Sequence, residues 1–179
     1  MSEGAFSSRL PRLVEPARLA QQELVLQGFV PAESLPRVNA AVMKLSPVEC
    51  DLAFSVDEQY RRLVTGKLRV RADLCCQRCL DAVNLCLDVE VNVALVKDES
   101  QAKNLPSWLD PWLVNEAEAD LYEFVEEELL LNIPQIAWHE EDCIDPALYS
   151  SGELEEDKKE EKENPFKMLE QLKQKVKPE

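Results

Sequence analysis

Residues 48–96 alternate between apolar and polar side chains with few breaks. A period of two leaves such a segment one home, a half-buried antiparallel sheet. Val48, Cys50, Leu52, Phe54 and Val56 share one parity, against Glu49, Asp51, Ser55 and Asp57. Leu68, Val70, Ala72, Leu74 and Cys76 then alternate with Lys67, Arg69, Arg71 and Asp73. Val83, Leu85, Leu87, Val89, Val91, Val93 and Leu95 follow, against Asn84, Asp88, Glu90 and Asn92. Polar residues 58–60 turn the first strand into the second, and Cys76-Gln77-Arg78-Cys79 occupies or borders the turn into the third. The fold class this predicts is α+β: a twisted antiparallel sheet on the 48–96 meander, joined by the 24–29 segment and covered by helices.

Pro16 to Gln22 reads as a short helix with proline near its start. Leu35, Val38, Ala41 and Val42 fit one face of another after Glu33-Ser34. The strongest helix opens at Asp120, with Glu123 in the capping-box position, and closes at Pro134. Its apolar face is Leu121, Phe124, Val125 and Leu129, which leaves Glu126-Glu127-Glu128 to read as a solvated face. Residues 97–117 read as loop and contain Trp108, Pro111 and Trp112; the two tryptophans pack over an end of the sheet, the alternative of base stacking lacking the basic neighbours it needs. Residues 1–149 therefore form a single α+β domain, and the charged, low-complexity 150–163 stretch is a disordered acidic linker. Beyond it, Asn164-Pro165 opens a short amphipathic helix over 164–177. Phe166, Leu169 and Leu172 lead its apolar stripe, which docks on its own domain or on a partner.

The formal net charge is −15, so the molecule as a whole repels nucleic acid and anionic membrane. The charge is uneven. Residues 1–80 carry 11 Lys/Arg against 9 Asp/Glu, residues 81–163 carry 5 against 24, and residues 164–179 carry 4 against 2. A local RNA contact in the first half is therefore compatible with the charge, through Arg61, Arg62, Lys67, Arg69 and Arg71. The competing reading of that basic stripe is cross-strand pairing with Glu49, Asp51, Asp88 and Glu90, which would deny those cations to phosphate. The acidic second half suits a basic protein partner.

Six cysteines without a secretory leader or an apolar run long enough to span a bilayer read as reduced thiols in the cytoplasm. Cys76 and Cys79 on one tight turn are half of a metal site or a redox pair. The chain's one histidine, His139, stands four residues before Cys143. Cys76, Cys79, His139 and Cys143 together make a Cys-x-x-Cys plus His-x-x-x-Cys set suited to one structural zinc. The plainer alternative is a lone surface histidine beside an incidental thiol. Thioredoxin-like chemistry needs a helix after Cys-x-x-Cys, whereas alternation resumes soon after Cys79. With four glycines there is little material for a phosphate-cradling loop, and no nucleophile motif accompanies the histidine, so a non-enzymatic protein is expected.

Taken together, these motifs resemble the YceD family, the large ribosomal RNA subunit accumulation proteins. The resemblance rests on Cys76-Gln77-Arg78-Cys79, on Asp120-Leu121 leading into Val125-Glu126-Glu127-Glu128-Leu129-Leu130-Leu131-Asn132-Ile133-Pro134, and on His139 with Cys143. Pro16-Ala17-Arg18 and the terminal Asn164-Pro165-Phe166-Lys167-Met168-Leu169 match as well. The resemblance implies a bacterial cytoplasmic factor acting in synthesis, processing or stability of large-subunit (23S) ribosomal RNA. Its partner is then that RNA or a pre-ribosome, met directly or through a basic protein, with no membrane or small-molecule substrate. It implies no catalytic residue. Some relatives carry a richer C-terminal cysteine cluster where this chain has its His/Cys pair.

Overall fold

The computed structural model describes residues 8–145. The predicted 150–163 linker and the 164–177 helix, with Phe166, Leu169 and Leu172, lie outside the described residues. In chain order the elements are β1 (Leu13–Val14), α1 (Pro16–Gln21), β2 (Val25–Val30), α2 (Pro36–Ala41), β3 (Lys44–Leu45), β4 (Val48–Val56), β5 (Arg62–Cys75), β6 (Ala82–Val96), α3 (Glu99–Ala102), β7 (Asp110–Leu113), β8 (Ala119–Asp120) and α4 (Leu121–Asn132). A six-stranded sheet runs in the order β2-β4-β5-β6-β7, with β3 added beside β5. The short β1 and β8 pair separately.

The meander β4-β5-β6 forms as the alternation requires. Register runs unbroken from Leu63↔Ala94 to Cys75↔Ala82 between β5 and β6. Val48, Cys50, Leu52, Phe54, Val64, Leu68, Val70, Val89, Val91 and Val93 are buried on one face. Against them pack Ala20 of α1, Val38 of α2, and Leu121, Phe124, Val125 and Leu129 of α4. Gly66 of β5 lies so close to β4 that a Cβ there would stand 2.0 Å from the Asp51 carbonyl oxygen. The close approach of β4 and β5 at this point depends on that missing side chain.

Two expectations need correction. The 97–117 stretch is not simply loop: α3 and β7 lie in it, and β7 pairs parallel with β6. The sheet is thus mostly, not wholly, antiparallel. The pairing is long-range, so a four-residue strand containing Pro111 leaves no periodic signal. Trp112 of β7 is buried and stacks on Phe124 at 4.1 Å between ring centroids. Trp108 remains 59% exposed, with the Arg61 guanidinium 5.9 Å from its ring centroid.

The second correction concerns the glutamate run. Glu126 is buried, and its carboxylate accepts hydrogen bonds from the Arg37 backbone N–H, the Arg37 Nε and the Val38 N–H. The two backbone N–H groups are orphan donors of the first turn of α2, and α2 has no side-chain cap of its own. A carboxylate from α4 fills that role, while Glu127 does stay exposed.

Candidate metal centre

β5 ends at Cys75, and the chain turns through Cys76–Asp81 before β6 begins at Ala82. The turn is closed by Leu80 N–H donating to the Cys76 carbonyl at 2.9 Å, and Cys76 N–H donating to the Asp81 carbonyl at 2.8 Å. Leu80 adopts a positive φ of 66° to complete it. This tight loop turns the Cys76 and Cys79 thiols to the same side. After α4, the 133–143 segment returns beside it and is tied by Gln77 N–H donating to the Ala137 carbonyl at 2.8 Å.

The closure brings the four predicted ligands together. The Sγ atoms of Cys76, Cys79 and Cys143 and a ring nitrogen of His139 all lie within 4.8 Å of one another. Cys76 Sγ is 3.7 Å from Cys143 Sγ, and Cys79 Sγ is 3.5 Å from His139 Nδ1. His139 Nε2 is 3.2 Å from the Ala82 carbonyl oxygen. A carbonyl only accepts, so Nε2 carries a proton, and Nδ1 is the ring nitrogen that faces the thiols and would bind a metal. Fixing the imidazole through its far nitrogen is the outer-shell arrangement usual for a metal-bound histidine. Cys76 is fully buried, while Cys79, His139 and Cys143 are half-buried. Beneath them Leu74, Val83 and Ala137 form a small apolar cluster of their own.

The electrostatics fit a cation. Burial opposes ionisation of Cys76, but backbone N–H groups of Cys79, Arg78 and His139 outweigh it and draw its pKa down to about 5. At Cys79 the Asp81 N–H favours the thiolate, yet burial and the neighbouring Cys76 and Cys143 thiols prevail and push it up to about 11. Hydrogen bonding to Cys143, then to Cys76, raises His139. Four soft or borderline donors thus converge on one point, and a divalent cation held there would displace the protons that Cys79 and His139 retain. Cys50, by contrast, is a core thiol raised by burial to about 12, and Cys75 and Cys86 lie outside the cluster.

Reading the sequence missed Arg78. Its guanidinium donates to the carbonyls of His139 and Glu141, the latter at 2.6 Å, and pairs with Asp142 at 3.5 Å. It thereby holds the segment that carries two of the four ligands. A long cation inside Cys-x-x-Cys, facing a Glu-Glu-Asp run after the histidine, was the available signal.

Lys67, Arg69 and Arg71 lie on the opposite, polar face, whereas Arg62 shares the parity of buried Val64 at the end of the core face. Lys67 stands between Asp51 and Glu90 in register, and Arg69 between Glu49 and Asp88. Lys67 Nζ lies 3.4 Å from Glu90 and Arg69 Nε 3.1 Å from Asp88. Arg61 pairs with Asp57 at 2.6 Å. Arg71 faces Cys86 in register, Arg62 faces Val56, and neither has an ion-pair partner among the described residues.

Fold and site together define a small, mostly antiparallel α+β protein whose hairpin turn and post-helix segment share a Cys3His cluster able to hold a metal ion. The family model of the large ribosomal RNA subunit accumulation protein YceD matches residues 64–173, which include the whole cluster, and the chain belongs to that family. The large ribosomal RNA subunit accumulation protein YceD of Haemophilus influenzae (strain ATCC 51907 / DSM 11121 / KW20 / Rd) is 35% identical over 171 residues, covering 93% of this chain and 98% of the relative. No solved structure matches the chain. Among the described residues no helix is long and apolar enough to cross a membrane.

Proposed function

We propose that this protein is a non-enzymatic ribosome-biogenesis factor of the cytoplasm, acting in synthesis, processing or stability of large-subunit (23S) ribosomal RNA. The observation that carries the reading is kinship over nearly the full chain with a relative named for accumulation of that RNA. The Cys3His cluster has a structural part in it. Cys76, Cys79, His139 and Cys143 would hold one zinc ion, which supplies cross-linking of the hairpin turn to the 133–143 segment. A closed four-ligand site keeps no open position for substrate, in keeping with a binding role. A thiol redox role for Cys76 and Cys79 fits less well, because the turn runs into β6 and not into a helix.

Two modes of contact with the pre-ribosome follow. Direct RNA binding would use Arg61, Arg62, Lys67, Arg69 and Arg71. The adaptor mode would instead hold a basic ribosomal protein or a nuclease. The ion pairs at Lys67 and Arg69 favour the adaptor, since phosphate would have to displace carboxylates already in register. In-cell ultraviolet crosslinking combined with gene deletion tests the proposal. Loss of the gene should lower 23S RNA relative to 16S. Crosslinks to large-subunit RNA that vanish in Arg69→Glu/Arg71→Glu would support direct contact, and basic proteins captured from the same lysate with no RNA crosslinks would favour the adaptor. Unchanged 23S RNA after deletion overturns the functional reading.

A further inference from the structure

The long strand β6 is paired with β5 from Ala82 to Ala94 and on its other side for only a few residues. β7 meets it from Val93 to Val96 alone. At the opposite end His139 reaches the Ala82 carbonyl. Between these limits, among the described residues, no strand pairs with Asn84–Val91 and no other backbone hydrogen bond reaches that edge. Register with β5 fixes which groups are left over. The Val96 carbonyl accepts from Val114, and the Ala82 carbonyl faces His139, so even-numbered residues turn their backbone groups outward. No break in register intervenes between them. The N–H and C=O groups of Asn84, Cys86, Asp88 and Glu90 therefore form an open ladder.

Protein edges are usually blunted by charged side chains, proline or a bulge. Asn84–Val91 has no proline and no bulge, and its only charges are the carboxylates of Asp88 and Glu90, which guard it against an acidic strand and leave it open to a basic one. Its apolar parity is also incompletely covered: Leu85 and Leu87 are half-buried where Val89 and Val91 are buried. On the polar face, charge alternates strand by strand. Glu49 and Asp51 on β4 are followed by Lys67 and Arg69 on β5, then by Asp88 and Glu90 on β6. The next place in that series is vacant, and the series calls for cations.

We infer that the Asn84–Val91 edge of β6 is a docking slot for an extended segment of a basic protein, about seven residues long, that alternates Lys or Arg with apolar side chains. Its backbone completes the ladder, its cations face Asp88 and Glu90, and its apolar side chains cover Leu85 and Leu87. A second copy of the chain pairing β6 to β6 would set carboxylates against carboxylates, and RNA would meet the same repulsion. The inference rests on the adaptor mode and names the chemistry of its partner.

The test uses the full chain, labelled with nitrogen-15, and a blocked heptapeptide alternating lysine with valine. Amide hydrogen exchange at Asn84, Cys86, Asp88 and Glu90 should slow by about tenfold or more on saturation with peptide. Asp88→Lys/Glu90→Lys should bind about tenfold more weakly, while Glu116→Lys/Glu118→Lys, an equal charge change elsewhere, should stay within about twofold. Cys86→Pro removes one outward donor without touching the β5 ladder, and should also weaken binding. Equal affinity for a peptide of the same composition with its lysines and valines in two blocks would overturn the inference, as would protection at other amides. So would an RNA oligonucleotide that protects the same four amides, or a dimer in sedimentation that buries them in the peptide-free protein. Normal peptide binding with unchanged 23S RNA after gene loss would overturn the functional reading alone. Lost 23S RNA with no peptide binding would overturn the slot alone.

Discussion

Glu126 on α4 accepts the backbone N–H of Arg37 at 2.6 Å and its Nε at 2.9 Å, so one buried carboxylate both caps α2 and pairs with the residue it caps. Truncation would strand two N–H donors in a buried place. Glu126→Ala should cost about 1–3 kcal/mol in urea unfolding. Glu126→Gln keeps an acceptor and should lose less. A Glu126→Ala variant with the wild-type midpoint would show that water satisfies α2 equally well.

Asp120 caps α4 by accepting from the Tyr122 and Glu123 N–H groups, and it receives Arg12 Nε at 2.8 Å. Burial opposes its ionisation, but Arg12 and the two N–H groups prevail and hold the carboxyl below its ordinary 3.8. A folded-state pKa below the unfolded one adds stability at every pH above the unfolded value, and the addition fades as pH falls through the folded value. Asp120→Ala should therefore cost about 0.5–2 kcal/mol at neutral pH, and less in steadily more acid solution below about pH 4. A cost independent of pH would mean that the cap works through shape and not charge.

Gly66 allows β4 and β5 to approach, and any Cβ there meets the Asp51 carbonyl. The obstacle is backbone, which no rotamer change can relieve. Gly66→Ala should destabilise the sheet by about 1–3 kcal/mol or more. Thermal melting by circular dichroism checks it, and an unchanged transition would contradict the β4–β5 register.

The paired strands were legible because the alternation marks both the faces and the turns. Val70 and Val89 are inward and Arg69 and Asp88 outward, where parity puts them. The metal quartet was legible because Cys-x-x-Cys and the chain's one histidine restricted the choice of ligands. Glu126 was not, since an amphipathic pattern treats any carboxylate as solvated and its partner is 89 residues away. β7 was hidden for a similar reason: a parallel edge strand owes its existence to the β6 edge it meets, and Asp110–Leu113 has too few residues to show a period.

Arg78 holds the His139 and Glu141 carbonyls, so it positions ligands without being one. Arg78→Ala should weaken zinc binding by about 10–100-fold, read by competition with a chromogenic chelator. The sheet core should keep its amide protection. Unaltered affinity would show that the 133–143 segment is placed by the thiols and histidine alone.

The most direct measurement is native mass spectrometry of the full chain purified without chelator. The Cys3His assignment predicts one zinc ion per chain, lost in Cys79→Ser and in His139→Ala. Removing zinc should speed amide exchange in the 76–82 turn and the 133–143 segment while β4 and β5 stay protected. A wild-type protein that carries no metal after incubation with zinc, and protects the turn equally well, would contradict the assignment.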